Sequence, residues 1–281
     1  HATFPGEMKR YTLSFDTYPS FSTRSLIEWT SSDEAVATVE GGVVSFKGCG
    51  RVTITATCPE GELPSDAAGF AKSVSATFDI PEGLIREYFL DPANLTWNHA
   101  GQSGNGSQTS SVIKQTAAGE TYMEVTTYNQ NATNQRGDFK HIGNVKIHAG
   151  KYPLVTIRMT DVRDAYEEIT SCAINLDTSG DGYSGNVGGS NNKYLKRYKC
   201  SDGSTVFIYD LSKQTFANGG LIKTDAAVEF RTFQFKYADM RTIDHQITYN
   251  VWWVETFASE DALKVKMAEL EAQYGITYEE L

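Results

Sequence analysis

Hydrophobic positions in this chain recur mostly at a period of two. Arg51 to Thr57 sets Val52, Ile54 and Ala56 on one face and threonines on the other, the pattern of a half-buried strand. Upstream, Leu26, Ile27 and Trp29 begin a strand, and Ser31 to Glu34 break it, because short polar side chains bond their own backbone. Val36 to Val39 and Val43 to Phe46 flank Glu40-Gly41-Gly42, where glycine reaches positive φ without steric cost. Thr12 to Asp16 and Val74 to Ile80 read as the first and last strands of the same unit. Short strands at this spacing predict two packed antiparallel sheets over residues 1–80, with Trp29 in their core.

Pro81-Glu82-Gly83 reads as a linker, and the pattern changes after it. Ile85 to Leu90 is a short strand or a turn. Asp91 to Ser111 is rich in Asn, Gly, Ser and Gln and reads as a long loop around Trp97. Tyr122 to Tyr128 alternates. Leu154–Thr160, Ile169–Leu176, Thr205–Leu211, Val228–Tyr237 and Ile247–Phe257 read as further strands, separated by turns such as Asp202-Gly203 and Asn218-Gly219-Gly220. These predict a second all-β unit over residues 84–258, for which a jelly-roll-like sandwich is the natural architecture. Residues 259–281 differ. Leu263, Met267, Leu270 and Tyr274 recur at helical spacing, Ser259 suits the N-cap, Glu260 and Asp261 suit the positive end, and Gly275 stops the helix.

The run Trp29 to Val39, the Gly42-Val43-Val44 after it and the strand Gly50 to Thr57 together resemble the bacterial Ig-like group 2 domain, over about residues 8–80. The loop Cys58 to Ala71 is longer and more irregular than that family implies. The resemblance implies an Ig-like β-sandwich serving as a spacer or adhesion unit on an exported protein, and it carries no catalytic residue. Tyr152 to Thr160, Asp202 to Leu211, Phe233 to Asp239 and Val251 to Phe257 resemble, over most of 84–265, an uncharacterised domain that follows Ig-like modules in surface lipoproteins of gut bacteria. Its association with polysaccharide utilisation implies a glycan-binding role, with surface proteins of a glycan-uptake system as further partners, at the outer membrane or in secreted form.

Composition narrows the classes. Lysine and arginine total 25 against 35 acidic residues, a net charge of −10, which argues against nucleic acid and anionic membranes as partners. No apolar run has the length of a membrane span. The chain starts at His1 rather than Met, which suggests that an export or anchoring segment precedes it. The five histidines are scattered, and neither they nor the four cysteines have metal-ligand spacing. Cys49 and Cys58 flank one extended strand and lie too far apart to bridge. Cys172 and Cys200 are compatible with facing strands, and their pairing stays open.

Glycan binding needs flat aromatic faces for sugar C–H groups and planar polar side chains for hydroxyls. The residues that suit it are Trp97, Tyr122, Glu124, Tyr128, Asn129 and Trp252. Alternation in Tyr122 to Tyr128 turns Met123 and Val125 inward and Tyr122, Glu124 and Tyr128 outward. By the same rule the neighbours Trp252 and Trp253 face opposite ways. Val251 and Phe257 share the parity of Trp253, which makes Trp253 core and Trp252 the exposed candidate. Asp177, Ser179 and Asp181 partly fit a calcium loop, but Gly188 stands where an EF-hand needs glutamate, so the choice is between a sandwich-type calcium site and an Asp/Gly turn. No other cofactor is implied. For a glycosidase, Asp161 and Glu255 are nominal acids without a motif behind them, and there is no G-x-S-x-G elbow, P-loop or dinucleotide fingerprint. The expected function is therefore non-catalytic binding of a polysaccharide. A jelly-roll hydrolase or lyase, and a structural or adhesive surface protein, are the alternatives.

Overall fold

A computed structural model describes residues 2–3, 10–16, 27–58, 72–90, 92–101, 108–128, 137–165, 173–178, 182–183, 185–187, 196–216, 219–236 and 246–281. The chain divides into two compact units, His1–Glu82 and Gly83–Leu281. The fold is all-β with a single helix among the described residues.

The first unit contains β1 (Ala2–Thr3), β2 (Arg10–Thr12), β3 (Glu28–Ser31), β4 (Ala37–Glu40), β5 (Val43–Phe46), β6 (Gly50–Thr57) and β7 (Ser73–Ile80). They form a four-stranded sheet, β1-β7-β6-β3, and a three-stranded sheet, β2-β5-β4. Val52, Ile54 and Ala56 are buried as their alternation requires, in a core with Val36, Val44 and Phe78. Trp29 is half-buried against that core. The β4–β5 hairpin turns on Gly41 and Gly42, both at positive φ (55° and 84°). A Cβ on Gly42 would sit 3.0 Å from the Trp29 ring, a tight contact that adds to the strain a side chain meets at this positive φ.

The second unit contains β8 (Arg86–Glu87), β9 (Trp97–Gly101), β10 (Gln108–Gln115), β11 (Thr121–Tyr128), β12 (Gly137–His141), β13 (Val145–Ile147), β14 (Leu154–Thr160), β15 (Ala173–Asp177), β16 (Gly185–Val187), β17 (Lys196–Cys200), β18 (Ser204–Asp210), β19 (Val228–Phe230), β20 (Thr232–Lys236), β21 (Gln246–Phe257), α1 (Glu260–Tyr274) and β22 (Tyr278–Glu280). The larger sheet runs β10-β11-β21-β14-β18-β17-β22, with β8 beside β21, and the smaller runs β16-β15-β20-β12-β9. Number β11, β12, β14, β15, β16, β18, β20 and β21 in chain order. One sheet then reads first-eighth-third-sixth and the other second-seventh-fourth-fifth, all pairs antiparallel. That interleaving is the jelly-roll order.

The inner faces of the two sheets share one core, built from Met123, Val125, Ile157, Met159, Phe207, Tyr209 and Val251 on one side and Trp97, Phe139, Ile174, Leu176, Phe233 and Phe235 on the other. The outer face of the larger sheet carries a second core. There Leu154, Val206, Ile208, Trp253 and Phe257 meet Leu263, Met267 and Leu270 of α1. The helix starts where the sequence says. Ser259 caps it by accepting from the Ala262 N–H at 3.2 Å, and Gly275 ends it in the left-handed region at φ 70°. The residues after it are more than a tail. Ile276 is buried, and β22 pairs with β17, so the chain end is stitched into the sheet.

Three local expectations change. The Asn/Gly/Ser-rich stretch is not one loop around Trp97: it contains strands β9 and β10, because β9 adds to β12 with His141 opposite Trp97. Val228–Tyr237 is broken at Arg231, and β19 leaves to pair with β13. The strict alternation assumed for β21 also fails. Arg158 pairs with Trp253 and Met159 with Val251, so Trp252 is the extra residue of a β-bulge. Before the bulge odd positions (Ile247, Tyr249, Val251) face the sandwich core, and after it Val254 does. Trp252 and Trp253 therefore both lie on the helix side.

Candidate functional site

Burial removes two of the aromatic candidates. Trp97 is fully enclosed, stacked on Phe139 at 5.7 Å and 13° and edge-on to Phe233 at 4.9 Å. It is a core residue and offers no ring face to a ligand. Trp252 is 7 % exposed, with Tyr122 tilted against it at 5.7 Å and the Arg158 guanidinium over its ring at 4.8 Å. It faces the outer side as its alternation with Val251 requires, but Tyr122 and Arg158 close over it there, while the bulge brings Trp253 to the same side. None of the four tryptophans is exposed.

Sealing Trp252 creates a site the sequence reading missed. Arg158 sits mid-strand in the apolar run Leu154–Thr160 and is wholly buried. Its Nε donates to Ser204 Oγ at 2.8 Å, one terminal nitrogen to Glu120 at 2.5 Å and the other to Asp202 at 2.6 Å. Asp202 also accepts from the Ser204 N–H and O–H, at 3.0 and 2.7 Å. One cation thus faces two carboxylates. Burial pushes the Glu120 carboxyl up, only partly opposed by Arg158, and its second oxygen is buried without a partner. Burial also acts to raise Asp202, but Arg158 and the Ser204 donors outweigh it and hold that carboxyl below its usual range. An arginine alone in an apolar strand is the signal that a buried acid must be found for it.

Beyond this knot, β10, β11 and the first half of β21 continue the outer face past the helix. Register sets residues across the three strands in rows: Lys114 with Tyr122; Val112, Glu124 and Asn250; Ser110, Thr126 and Thr248; Gln108, Tyr128 and Gln246. Ser110, Thr248 and Gln246 are exposed, Val112 is 50 % exposed, and Tyr122, Glu124 and Asn250 are half-buried. Lys114 pairs with Glu124 at 2.7 Å, and the hydroxyls of Thr126 and Thr248 meet at 3.1 Å. Rows two residues apart are about 7 Å from one another and strands about 5 Å, so the strip spans roughly 20 by 10 Å. It holds hydroxyls, amides and the half-buried Tyr122.

Of the expected glycan contacts, this strip brings together Tyr122 and Glu124. It places Tyr128 at the far end by backbone register, and Asn129 lies outside the described residues. It adds Ser110, Thr126, Thr248 and Gln246, which stand out only once the pairing of β21 with β11 is known. In the calcium candidate, the Asp177 carboxylate is engaged by Arg231 at 2.6 Å, while Ser179 and Asp181 lie outside the described residues. Among the described residues no group of acids, histidines or cysteines converges as a metal would need. The nominal acids are both committed. Asp161 is buried and paired with Arg163 and Arg197 at 2.7 and 3.0 Å. Glu255 is buried and held by Arg86 at 2.8 Å and by the Tyr88 hydroxyl. The Cys200 and Cys49 thiols are free, and Cys172 lies outside the described residues.

Fold and surface define a jelly-roll β-sandwich in which one sheet is half covered by a helix and half open. The chain belongs to the family described as a domain of unknown function, DUF4979, whose match covers residues 83–263. The match stops short of the first unit and does not bear out the expected likeness of residues 8–80 to the Ig-like group 2 domain. No curated protein matches the sequence. Among solved structures, the chain is similar to the CBM51-2 and INT domains of ZmpB from Clostridium perfringens in complex with GlcNAc. The identity is 11 %, over 88 % of this chain and 45 % of that one, with a TM-score of 0.17. A second structure of those domains gives 9 % identity over 84 % of this chain and 41 % of that one, with a TM-score of 0.16. This chain thus spans less than half of either structure. At these scores no shared fold is defined, and the sugar is a property of that complex.

Proposed function

We propose that this protein binds a polysaccharide without cleaving it, through the open strip of β10, β11 and β21, and that the first unit serves as a spacer at the cell surface. The observation that carries this reading is the strip itself. It is an array of exposed Ser110, Thr248 and Gln246 with half-exposed Thr126, Glu124 and Tyr122, at strand spacing, on the face that the helix covers elsewhere. Such a surface suits a long polar chain lying across it, with weak contacts multiplied along a polymer. The non-catalytic reading draws on Asp161 and Glu255, the two acids nominated for hydrolysis, each buried and paired with arginine. Surface presentation, and other surface proteins of an uptake system as partners, belong to the same proposal. Affinity electrophoresis against plant and host polysaccharides, with a reducing-sugar assay in parallel, tests it. Retarded migration without sugar release is the expected result. Migration unaltered by every polymer refutes binding, and sugar release favours the hydrolase or lyase.

A further inference from the structure

We infer that the strip takes an uncharged glycan and discriminates against uronate-bearing and sulfated polymers; this rests on the glycan-binding reading above. The reason is the charge state of the described strip. Its only ionisable side chains of opposite sign, Lys114 and Glu124, lie on adjacent strands and neutralise one another at 2.7 Å. The remaining described side chains carry hydroxyls and amides, with Val112 and Tyr122 as the apolar elements, and Tyr128 joins the last row by backbone register. The nearest buried cation, Arg158, has all three of its donor nitrogens committed to Ser204, Glu120 and Asp202, and the Trp252 ring covers its guanidinium. A carboxylate or sulfate on the ligand would have to break the Lys114–Glu124 pair to find a counter-charge. That would leave Glu124 beside another anion, a like-charge contact that rejects such ligands. The net charge of −10 adds a long-range repulsion of polyanions. Neutral polyols meet neither penalty. Their hydroxyls exchange with those of Ser110, Thr126 and Thr248, and their C–H faces rest on Val112 and Tyr122.

Two consequences distinguish this ligand class. Binding to a neutral polymer is insensitive to salt, whereas binding to a polyanion falls as salt rises. A cation placed on the strip also changes the preference in a known direction. The test is affinity electrophoresis of the full chain in gels containing a neutral galactomannan or xyloglucan, polygalacturonate, or a sulfated glycosaminoglycan, each at about 20 and about 500 mM NaCl. Neutral polymers should retard the protein, with apparent affinity changing less than about twofold across that salt range, and the acidic polymers should not. Thr248→Lys, at an exposed position, should weaken retention by the neutral polymer about fivefold or more and create salt-sensitive retention by polygalacturonate. Retention of the parent protein by acidic polymers alone, lost in salt, overturns this inference and leaves glycan binding standing. Retention by a neutral polymer that Thr248→Lys does not alter, in a variant with unchanged melting temperature, places binding off the strip and also overturns it. Retention by no polymer removes the glycan reading itself.

Discussion

Replacing Arg158 with methionine should destabilise the second unit by about 3–5 kcal/mol near neutral pH, the cost of leaving a buried charge without its partner. Methionine fills much of the volume, so the loss is chiefly electrostatic. The guanidinium is completely buried, and the side chains of Glu120 and Asp202 are 9 % and 24 % exposed. Each hydrogen bond to a carboxylate at 2.5–2.6 Å is of the kind worth roughly 1.5–3 kcal/mol, and stacking on Trp252 adds about 1–2 kcal/mol. Relief from desolvating the arginine offsets part of that sum, which brings the net back to the range above. The sign of the pH dependence is specific. Glu120 already has its carboxyl pushed up by burial, and without Arg158 the shift grows. A carboxyl raised in the folded state binds protons more tightly than in the unfolded chain, so stability increases as pH falls toward the ordinary glutamate range. Urea unfolding followed by tryptophan fluorescence, with Trp252 lying under the guanidinium, measures both effects. In thermal terms each kcal/mol corresponds to about 2–4 °C for a unit of this size. A loss below ~1 kcal/mol near pH 7.5, or a deficit that does not shrink by ~pH 5, would refute a charge-bearing role for this knot.

Glu120→Gln should be tolerated within about 1 kcal/mol, because Asp202 still neutralises Arg158 and the unpartnered buried oxygen no longer carries charge; a loss as large as that of Arg158→Met would contradict it in the same urea assay. Trp97→Ala should cost about 3–5 kcal/mol in urea unfolding by opening a cavity among Phe139, Phe233 and Phe235, and its glycan retention at temperatures where it stays folded should equal that of the parent. Glu260 is pulled down to about 2 by hydrogen bonds from Lys196 and Tyr198. A depressed carboxyl contributes stability above its unfolded value and loses it as pH falls through the folded one. Protection of α1 amides from hydrogen exchange should therefore weaken on acidification below the usual glutamate range, and the effect should vanish in Glu260→Gln.

Much of the local structure was legible before any fold was known. Val52, Ile54 and Ala56 fell on the buried face, Gly41 and Gly42 took positive φ, and Ser259 and Gly275 bounded the helix. Each of these depends on a residue and its near neighbours in sequence. The glycan candidates fared unevenly for the opposite reason. Tyr122 and Glu124 lie on the open face because alternation in β11 is uninterrupted. Trp97 does not, because the polar text around it conceals a strand that pairs with β12. Trp252 does not, because the outer face to which alternation assigns it is closed at that point by Tyr122, Arg158 and the core under α1, and the bulge in β21 turns Trp253 to that face as well.

Local chemistry along the chain sets the all-β class, the change of pattern near Pro81-Glu82-Gly83, the terminal helix and the inward face of most strands, since side-chain alternation, turn chemistry and capping are settled within a few residues. The strand order of the jelly roll, the bulge, and the choice of which outer face stays open come from long-range packing. So does the satisfaction of Arg158 by Glu120, Asp202 and Ser204, which lie 38, 44 and 46 residues away in the chain. A buried charge demands partners but does not say where they are. The pairing of distant strands supplies them, and the same pairing leaves one half of the sheet to solvent.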